Sequence, residues 1–188
     1  MATIFLAVTG AQGSGKSVFS KIAKNKYNIP TYRLGTVIIE ECEKRGLEVN
    51  GTNMGKMSSV LRYEGGEQVI ASKSFNAIQQ FLEDKPKIVI IDGIRSYSEL
   101  TYFREKFDDV RLIAIITSLK TRKQRVEARK RIDLGTMGDF EVREQRELGF
   151  GLGDVITKAD YFILNENISK DNFTKQIENL LDIILNEK

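Results

Sequence analysis

Apolar residues in this chain form four short continuous runs, separated by stretches in which apolar side chains recur every three or four residues. The runs predict buried strands over 3–8, 87–91, 110–116 and 160–164. The periodic stretches predict helices over 16–26, 97–106, 119–131 and 170–186. Because the strands alternate with helices, the predicted fold class is α/β, with a parallel sheet covered on both faces.

The stretch between the first two runs has a different pattern. A short strand is expected within 27–33, and two or three helices then follow without an intervening strand. These helices are predicted over about 35–45, 54–64 and 66–83, with Gly65-Gly66 as the break between the last two. The pattern therefore predicts a helical insert in a single domain that has neither an interdomain linker nor an internal repeat.

A phosphate-binding pattern lies directly after the first predicted strand. Residues 10–17 read Gly10-Ala11-Gln12-Gly13-Ser14-Gly15-Lys16-Ser17, which fits G-x-x-x-x-G-K-[ST] and is followed by a helix. Glycines let backbone N–H groups surround phosphate oxygens, and the helix start adds partial positive charge. Lys16 is expected to meet the β- and γ-phosphates of ATP, and the Ser17 hydroxyl is expected to bind Mg²⁺. Predicted ATP-binding residues are Gly10, Gln12, Gly13, Ser14, Gly15, Lys16, Ser17 and Val18.

Two further patterns carry charge that suits the same chemistry. The run 87–91 ends in Asp92-Gly93-Ile94-Arg95, and a carboxylate after a strand beside a P-loop can orient Mg²⁺. The alternative for Asp92 is a solvated turn. Arg122, Arg125 and Arg129 share one face of a predicted helix, and Arg143 and Arg146 follow in a second short helix. These arginines predict a lid over polyphosphate at about 129–146, or alternatively a solvated basic surface.

Composition narrows the other possibilities. The chain has 188 residues, 41% hydrophobic and 29% charged, and its net charge of +3 does not favour a nucleic-acid or membrane partner. Cys42 is the sole cysteine, so an internal disulfide is excluded and a small core side chain is expected. With no transmembrane-length run and no signal-peptide pattern, a cytoplasmic monomer or small homo-oligomer is expected.

The order of these motifs resembles the nucleoside monophosphate kinases, adenylate kinase in particular, and dephospho-coenzyme-A kinase more distantly. The chain is most similar to an archaeal-type family related to adenylate kinase. Shared features are Met57 to Gly66, the Asp92-Gly93-Ile94-Arg95 segment, and residues 146–153, which read Arg-Glu-Leu-Gly-Phe-Gly-Leu-Gly. The resemblance implies a three-layer P-loop kinase fold with a five-stranded parallel sheet. It further implies a core of 1–33, 84–128 and 147–188, an acceptor-binding insert of about 34–83, and the short lid.

The resemblance also implies roles for individual residues. Arg95 is similar to the arginine that holds the acceptor phosphate, and Arg125 to the arginine that lies against the donor adenine. Arg129 resembles the first lid arginine on the donor phosphates. Arg131 and Arg143, with Arg146 as a further candidate, resemble the arginines that close on the transferring group. The expected catalytic residues are Lys16, Arg129, Arg131 and Arg143. Expected acceptor-binding residues are Arg33, Gly35, Arg62, Gly93 and Arg95. Expected metal ligands are Ser17 and Asp92.

One departure leaves the acceptor open. Where adenylate kinase has Thr-Gly-Asp-x-x-Arg, this chain has Leu34-Gly35-Thr36-Val37-Ile38-Ile39, so Ile39 replaces an arginine that binds the acceptor.

The leading hypothesis is an ATP- and Mg²⁺-dependent kinase of a nucleoside monophosphate, with AMP as the first candidate. Alternatives are an NTPase or regulatory nucleotide-binding protein without a small acceptor, a dephospho-coenzyme-A kinase-like enzyme, and a nucleic-acid-associated ATPase.

Overall fold

Five parallel strands form the centre of the molecule. In the computed structural model, which describes residues 2–128 and 137–187, they are β1 (Ile4–Thr9), β2 (Thr31–Arg33), β3 (Ile88–Ile94), β4 (Val110–Ile116) and β5 (Tyr161–Leu164). The strand order is β2-β3-β1-β4-β5, and every neighbouring pair is parallel. The predicted α/β fold with a five-stranded parallel sheet is therefore confirmed.

Helices cover both faces of this sheet. Those in the described residues are α1 (Lys16–Tyr27), α2 (Gly35–Lys44), α3 (Gly51–Gly65), α4 (Val69–Gln80), α5 (Tyr97–Lys106), α6 (Leu119–Ala128), α7 (Met137–Gly149), α8 (Leu152–Thr157) and α9 (Lys170–Asn186). A short 3₁₀ helix, Phe81–Asp84, follows α4. None of the helices in residues 2–128 and 137–187 is both long enough and apolar enough to cross a membrane.

The core has two layers because successive strand residues point to opposite faces of the sheet. On one face, Phe5 and Ala7 of β1 pack with α2 to α5 and α8, and this layer also buries Cys42. On the other face, Leu6 and Val8 pack against α1 and α9. Burial on both sides explains why the strands appear in the sequence as continuous apolar runs rather than as alternating patterns.

The three helices α2, α3 and α4 lie between β2 and β3 in the sequence. Asn50 begins α3, its side chain accepting a hydrogen bond from the Asn53 backbone N–H, and Gly66 ends it with a positive φ of 82°. Helix α8 was not predicted from the sequence, where 147–159 lacked a clear apolar period. Its side chains Leu152 and Val155 are buried in the same core layer as Cys42.

Candidate active site at the carboxyl ends of β1 and β3

A cleft opens at the carboxyl ends of β1 and β3. The connection that follows β1 runs towards β2 at one edge of the sheet, whereas the connection that follows β3 runs the other way, towards β4. Open α/β sheets bind ligands at such a point. The cleft is lined by Gln12, Gly13, Gly15, Lys16, Ser17, Arg33, Gly35, Asp92, Gly93, Arg95, Val126 and Arg143. Residues that are far apart in the sequence, from the predicted P-loop, insert, Asp92 segment and lid, thus share one cavity.

The loop between β1 and α1 is held from behind by the carboxyl-terminal part of the chain. Gly15 has a φ of 120°, and a Cβ at this position would lie 2.7 Å from Asn165 Nδ2 and 2.8 Å from Phe173 Cζ. The Asn165 amide also donates to the Ser14 carbonyl at 2.7 Å. Only glycine fits here, which gives a physical reason for this glycine of the motif.

Lys16 lies at the start of α1 with its side chain folded over the loop. Its Nζ donates to the carbonyl of Gly10 and, at 3.2 Å, to that of Ala11. Burial lowers the pKa of Lys16 to about 8, although the negative charges of Glu147 and Asp92 oppose the shift. The half-buried ammonium thus lies against the loop carbonyls at the edge of the cleft, where a phosphate chain would enter.

Asp92 is buried at the end of β3 and faces the cleft. Its Oδ2 accepts a hydrogen bond of 2.9 Å from Ser20 Oγ, one turn along α1 from Ser17. A hydroxyl and a carboxylate that line one cleft are hard oxygen ligands, and Mg²⁺ prefers such ligands together with phosphate and water. The Ser17 and Asp92 side chains therefore fit the metal that was predicted from the sequence.

Glu147 of α7 joins two arginines that line the cleft. Its Oε1 lies 3.2 Å from Arg95 Nη2 and 2.9 Å from Arg143 Nε, and its side chain is only 4% exposed. Burial alone would raise the pKa of Glu147, but the positive charges of Arg95, Arg143 and Lys16 lower it to about 2. An ionised carboxylate therefore holds both guanidinium groups together.

Helix α7 is also tied to α6 and to the P-loop. Arg122, which is buried, donates two hydrogen bonds to Glu144 at 2.7 and 2.6 Å and a third to the Gln12 carbonyl at 3.3 Å. The Gln12 side chain in turn donates to the Phe140 carbonyl at 2.6 Å. Arg122 therefore links two helices and the loop instead of facing solvent, and Gln12 contacts α7 through its side chain.

Arg125, the predicted adenine contact, lies behind the P-loop at the end of β5. Its Nη2 donates to the backbone carbonyl and the side-chain oxygen of Asn165 at 3.1 and 3.2 Å. Its Nη1 is buried without a hydrogen-bond partner in the described part of the chain. Val18, also predicted to contact ATP, lies in the first turn of α1 and packs on the core.

The predicted acceptor residues separate into two groups. Arg33, Gly35, Gly93 and Arg95 line the cleft, and Arg33 lies beside Asp92 in the register of β2 and β3. Arg62 is not among the lining residues. Its guanidinium is paired with Glu99 of α5 and stacked 4.1 Å from the centre of the Phe150 ring.

The other predicted lid residues are only partly described. Arg143 lines the cleft, whereas Arg129 and Arg131 lie outside the described residues. Arg146 packs against α3, where a Cβ at Gly55 would lie 2.6 Å from its Cζ. Burial lowers the pKa of Arg146, with Glu147 opposing the shift.

The sequence interpretation did not single out three glutamates whose carboxylates are buried in this region, Glu99, Glu144 and Glu147. Glu147 could have been found, because it lies four residues after Arg143 and such pairs meet on a helix. Glu99 could have been found from the Ser96-x-x-Glu99 capping-box pattern at the start of α5. Glu144 left no such signal, since its partner Arg122 is 22 residues away on another helix.

The fold and this cleft define a P-loop nucleotide-binding protein with a kinase-like α/β fold. A family model described as an AAA domain matches residues 6–148. The chain is 41% identical over 184 residues to a UPF0200 protein of Methanocaldococcus jannaschii, covering 97% of this chain and 91% of that protein. A UPF0200 protein of Thermococcus onnurineus is 38% identical over 189 residues, covering 98% and 100%. The chain belongs to the UPF0200 family and carries the AAA domain of that family model.

Solved structures share the whole fold at low sequence identity. The protein TT1252 from Thermus thermophilus aligns with a TM-score of 0.70 at 15% identity, over 100% of both chains. Shikimate kinase from Bacteroides thetaiotaomicron aligns with a TM-score of 0.59 at 17% identity, over 97% of this chain and 98% of that one. Dephospho-CoA kinase from Campylobacter jejuni gives 0.59 at 16% identity, over 96% of each chain. These neighbours confirm the predicted P-loop kinase-like fold, and the UPF0200 relatives confirm the predicted similarity to an archaeal-type family.

Proposed function

We propose that this protein is an ATP-dependent phosphotransferase that moves the γ-phosphoryl group of ATP to a small phosphorylated acceptor. A nucleoside monophosphate is the proposed class of acceptor, and AMP is the first candidate. One observation carries the proposal: a single cleft brings Lys16 of the P-loop together with Arg33, Arg95 and Arg143 from three other elements. A site that binds two phosphorylated groups head to head needs positive charge from both sides.

The P-loop side of the cleft is the proposed donor site. The loop amides and Lys16 would bind the β- and γ-phosphates, while Ser17 and Asp92 would hold Mg²⁺, which neutralises phosphate charge when bound. Arg125 is the proposed adenine contact. The Lys16 ammonium donates hydrogen bonds to the Gly10 and Ala11 carbonyls, and an entering phosphate would replace those acceptors.

The side formed by β2, β3 and the insert of residues 34–83 is the proposed acceptor site. Arg33 and Arg95 would bind the acceptor phosphate, and Gly35 and Gly93 leave the backbone accessible beside it. An oxygen of that phosphate attacks the γ-phosphorus, and the bond between this phosphorus and the β,γ-bridging oxygen breaks. Arg143, with Arg129 and Arg131 in the proposed lid of 129–146, would stabilise the charge that spreads over the transferring group.

An ATPase or nucleotide-dependent regulator without a small acceptor is the second candidate. Two observations favour it: Ile39 stands where the resemblance expects an arginine, and the Arg62 guanidinium is already paired with the Glu99 carboxylate.

A dephospho-CoA kinase-like activity needs a base for a hydroxyl nucleophile. Glu147 is poorly suited to that task, because Arg95 and Arg143 hold its pKa at about 2.

The test is an acceptor panel under ATP and Mg²⁺. ADP formation would be measured with AMP, GMP, CMP, UMP, dephospho-coenzyme A and shikimate, each against a reaction without acceptor. We expect stimulation by at least one monophosphate. Equal ADP formation with and without every acceptor would reject the transferase and leave the ATPase.

A further inference from the structure

Arg62 and Glu99 form a buried ion pair next to the cleft. Their side chains are 9% and 1% exposed, respectively. Arg62 Nη2 donates to Glu99 Oε1, Nη1 donates to the Ser58 carbonyl at 3.0 Å, and the Phe150 ring covers the guanidinium. Both side chains are largely withdrawn from solvent, and neither residue lines the cleft.

The second oxygen of the Glu99 carboxylate is used by the backbone of Arg95. Glu99 Oε2 accepts a hydrogen bond of 2.8 Å from the Arg95 N–H. In a capping box, the glutamate reaches back to the N-cap residue, which here is Ser96. Glu99 reaches one residue further back and binds the residue whose side chain lines the cleft.

This hydrogen bond lies where the chain leaves the sheet. Arg95 lies between the end of β3 and the start of α5, two residues after Gly93. Gly93 has a φ of 106°. From this short link the Arg95 guanidinium reaches Glu147 at 3.2 Å. Arg95 is thus held at both ends by buried carboxylates, its N–H by Glu99 and its guanidinium by Glu147.

We propose that Glu99 is a positioning residue that fixes the backbone of Arg95 for acceptor binding, and that Arg62 acts through Glu99 without touching the acceptor. The inference rests on the proposed function, since it assigns the acceptor phosphate to Arg95. It gives Arg62 a role that differs from the direct contact expected from the sequence. It also links α3 of the insert to the acceptor side of the cleft through a single carboxylate.

The first test compares Glu99→Gln with a matched control. Glu64→Gln changes the same residue type on α3, where Glu64 pairs with Arg45 on the surface. Glutamine has a single acceptor oxygen, which should stay with the charged Arg62 guanidinium and leave its NH2 group facing the Arg95 N–H. We therefore expect Glu99→Gln to raise KM for the acceptor about tenfold, with KM for ATP unchanged, because the Arg95 N–H loses its charged acceptor. Glu64→Gln should leave both constants unchanged. Equal rises in both KM values for Glu99→Gln would indicate a general structural defect and overturn the proposal.

A double-mutant cycle then asks whether the effect passes through Arg95. In an Arg95→Ala background, Glu99→Gln should change KM for the acceptor by less than about twofold, since the group being positioned is gone. Arg62→Lys, which keeps the positive charge, should recover part of the acceptor affinity that Arg62→Ala loses. A full effect of Glu99→Gln without the Arg95 side chain would overturn the proposal.

A third measurement does not depend on turnover. In the wild-type protein, the Arg95 amide proton should be protected from exchange and shifted downfield by the carboxylate, and Glu99→Gln should remove both properties. Titration with inorganic phosphate, followed on the Arg95 side-chain resonance, should give weaker binding for Glu99→Gln than for the wild type. If the wild type shows no acceptor-dependent turnover, the proposed function fails, while unchanged phosphate binding in Glu99→Gln would independently overturn the positioning role.

Discussion

At the scale of single residues, Lys16 combines two properties that oppose each other. Its ammonium must be positive to attract phosphate, yet burial lowers its pKa from 10.5 to about 8. A bound triphosphate would favour the charged form and raise the pKa again. Binding of ATP near this pH is therefore linked to uptake of a proton.

This linkage predicts the pH dependence of ATP affinity. Above about pH 8 the free protein increasingly carries neutral Lys16, so its affinity for ATP should fall by up to about tenfold per pH unit. Calorimetry between pH 7 and 9.5, in buffers with different ionisation enthalpies, would measure both the affinity and the proton uptake. The Lys16→Met variant should bind weakly with no such dependence. A wild-type profile as flat as that of the variant would contradict the assignment.

Arg95 should affect the two substrates unequally. The side chain lies on the β3 side of the cleft and is held by Glu147, so Arg95→Ala should weaken acceptor binding more than ATP binding. We expect KM for the acceptor to rise at least about tenfold, because a hydrogen bond to a charged group is lost, whereas KM for ATP should change little. Steady-state kinetics with each substrate varied would measure the ratio. Equal effects on both substrates would remove Arg95 from the acceptor site.

At the scale of secondary structure, α7 is the element that connects three other parts of the candidate site. It reaches α6 through Glu144, the P-loop through the Phe140 carbonyl, and the arginines of the cleft through Glu147. The sequence shows a helix with alternating charges, and its spacing does not reveal which charges are buried. Helix packing buries Arg122 against Glu144, and Glu147 against Arg143, whereas the sequence predicted a lid over polyphosphate or, alternatively, a solvated basic surface.

Removing one partner of the buried Arg122–Glu144 ion pair should destabilise the protein. Glu144→Ala would leave Arg122 buried without its carboxylate, at a cost of about 3–5 kcal/mol in the free energy of unfolding. Glu141→Ala on the same helix breaks the exposed pair with Lys123 and should cost less than about 1 kcal/mol. Urea denaturation of the two variants would measure the difference. Similar values for both would contradict the buried ion pair.

Elements were easier to predict from the sequence than contacts between them. Strands β1, β3 and β4 are buried on both faces and so appear as continuous apolar runs, and the glycines and Lys16 of the P-loop form one local motif. Arg62 had the residue type that suits an acceptor phosphate, but only the folded structure shows that it pairs with Glu99 of α5. Helix α8 has too few apolar positions for its period to be recognised.

At the scale of the whole molecule, the cleft exists because a parallel sheet brings separate segments to one edge. The P-loop follows β1, Arg33 ends β2, and Asp92 and Arg95 belong to the end of β3. Arg143 arrives from α7, which the buried carboxylates hold over that edge. The proposed donor and acceptor sites, on opposite sides of one cavity, would be a property of this assembly and of no single motif.

The fate of the γ-phosphate tests this account most directly. Wild-type protein would be incubated with ATP labelled at the γ-phosphorus and with the best acceptor of the panel, and the labelled products separated. We predict label in the acceptor's diphosphate, and loss of that product in Lys16→Ala but not in Lys21→Ala, an exposed position on the same helix. Label that appears only in inorganic phosphate, at a rate independent of acceptor, would contradict transfer across the cleft.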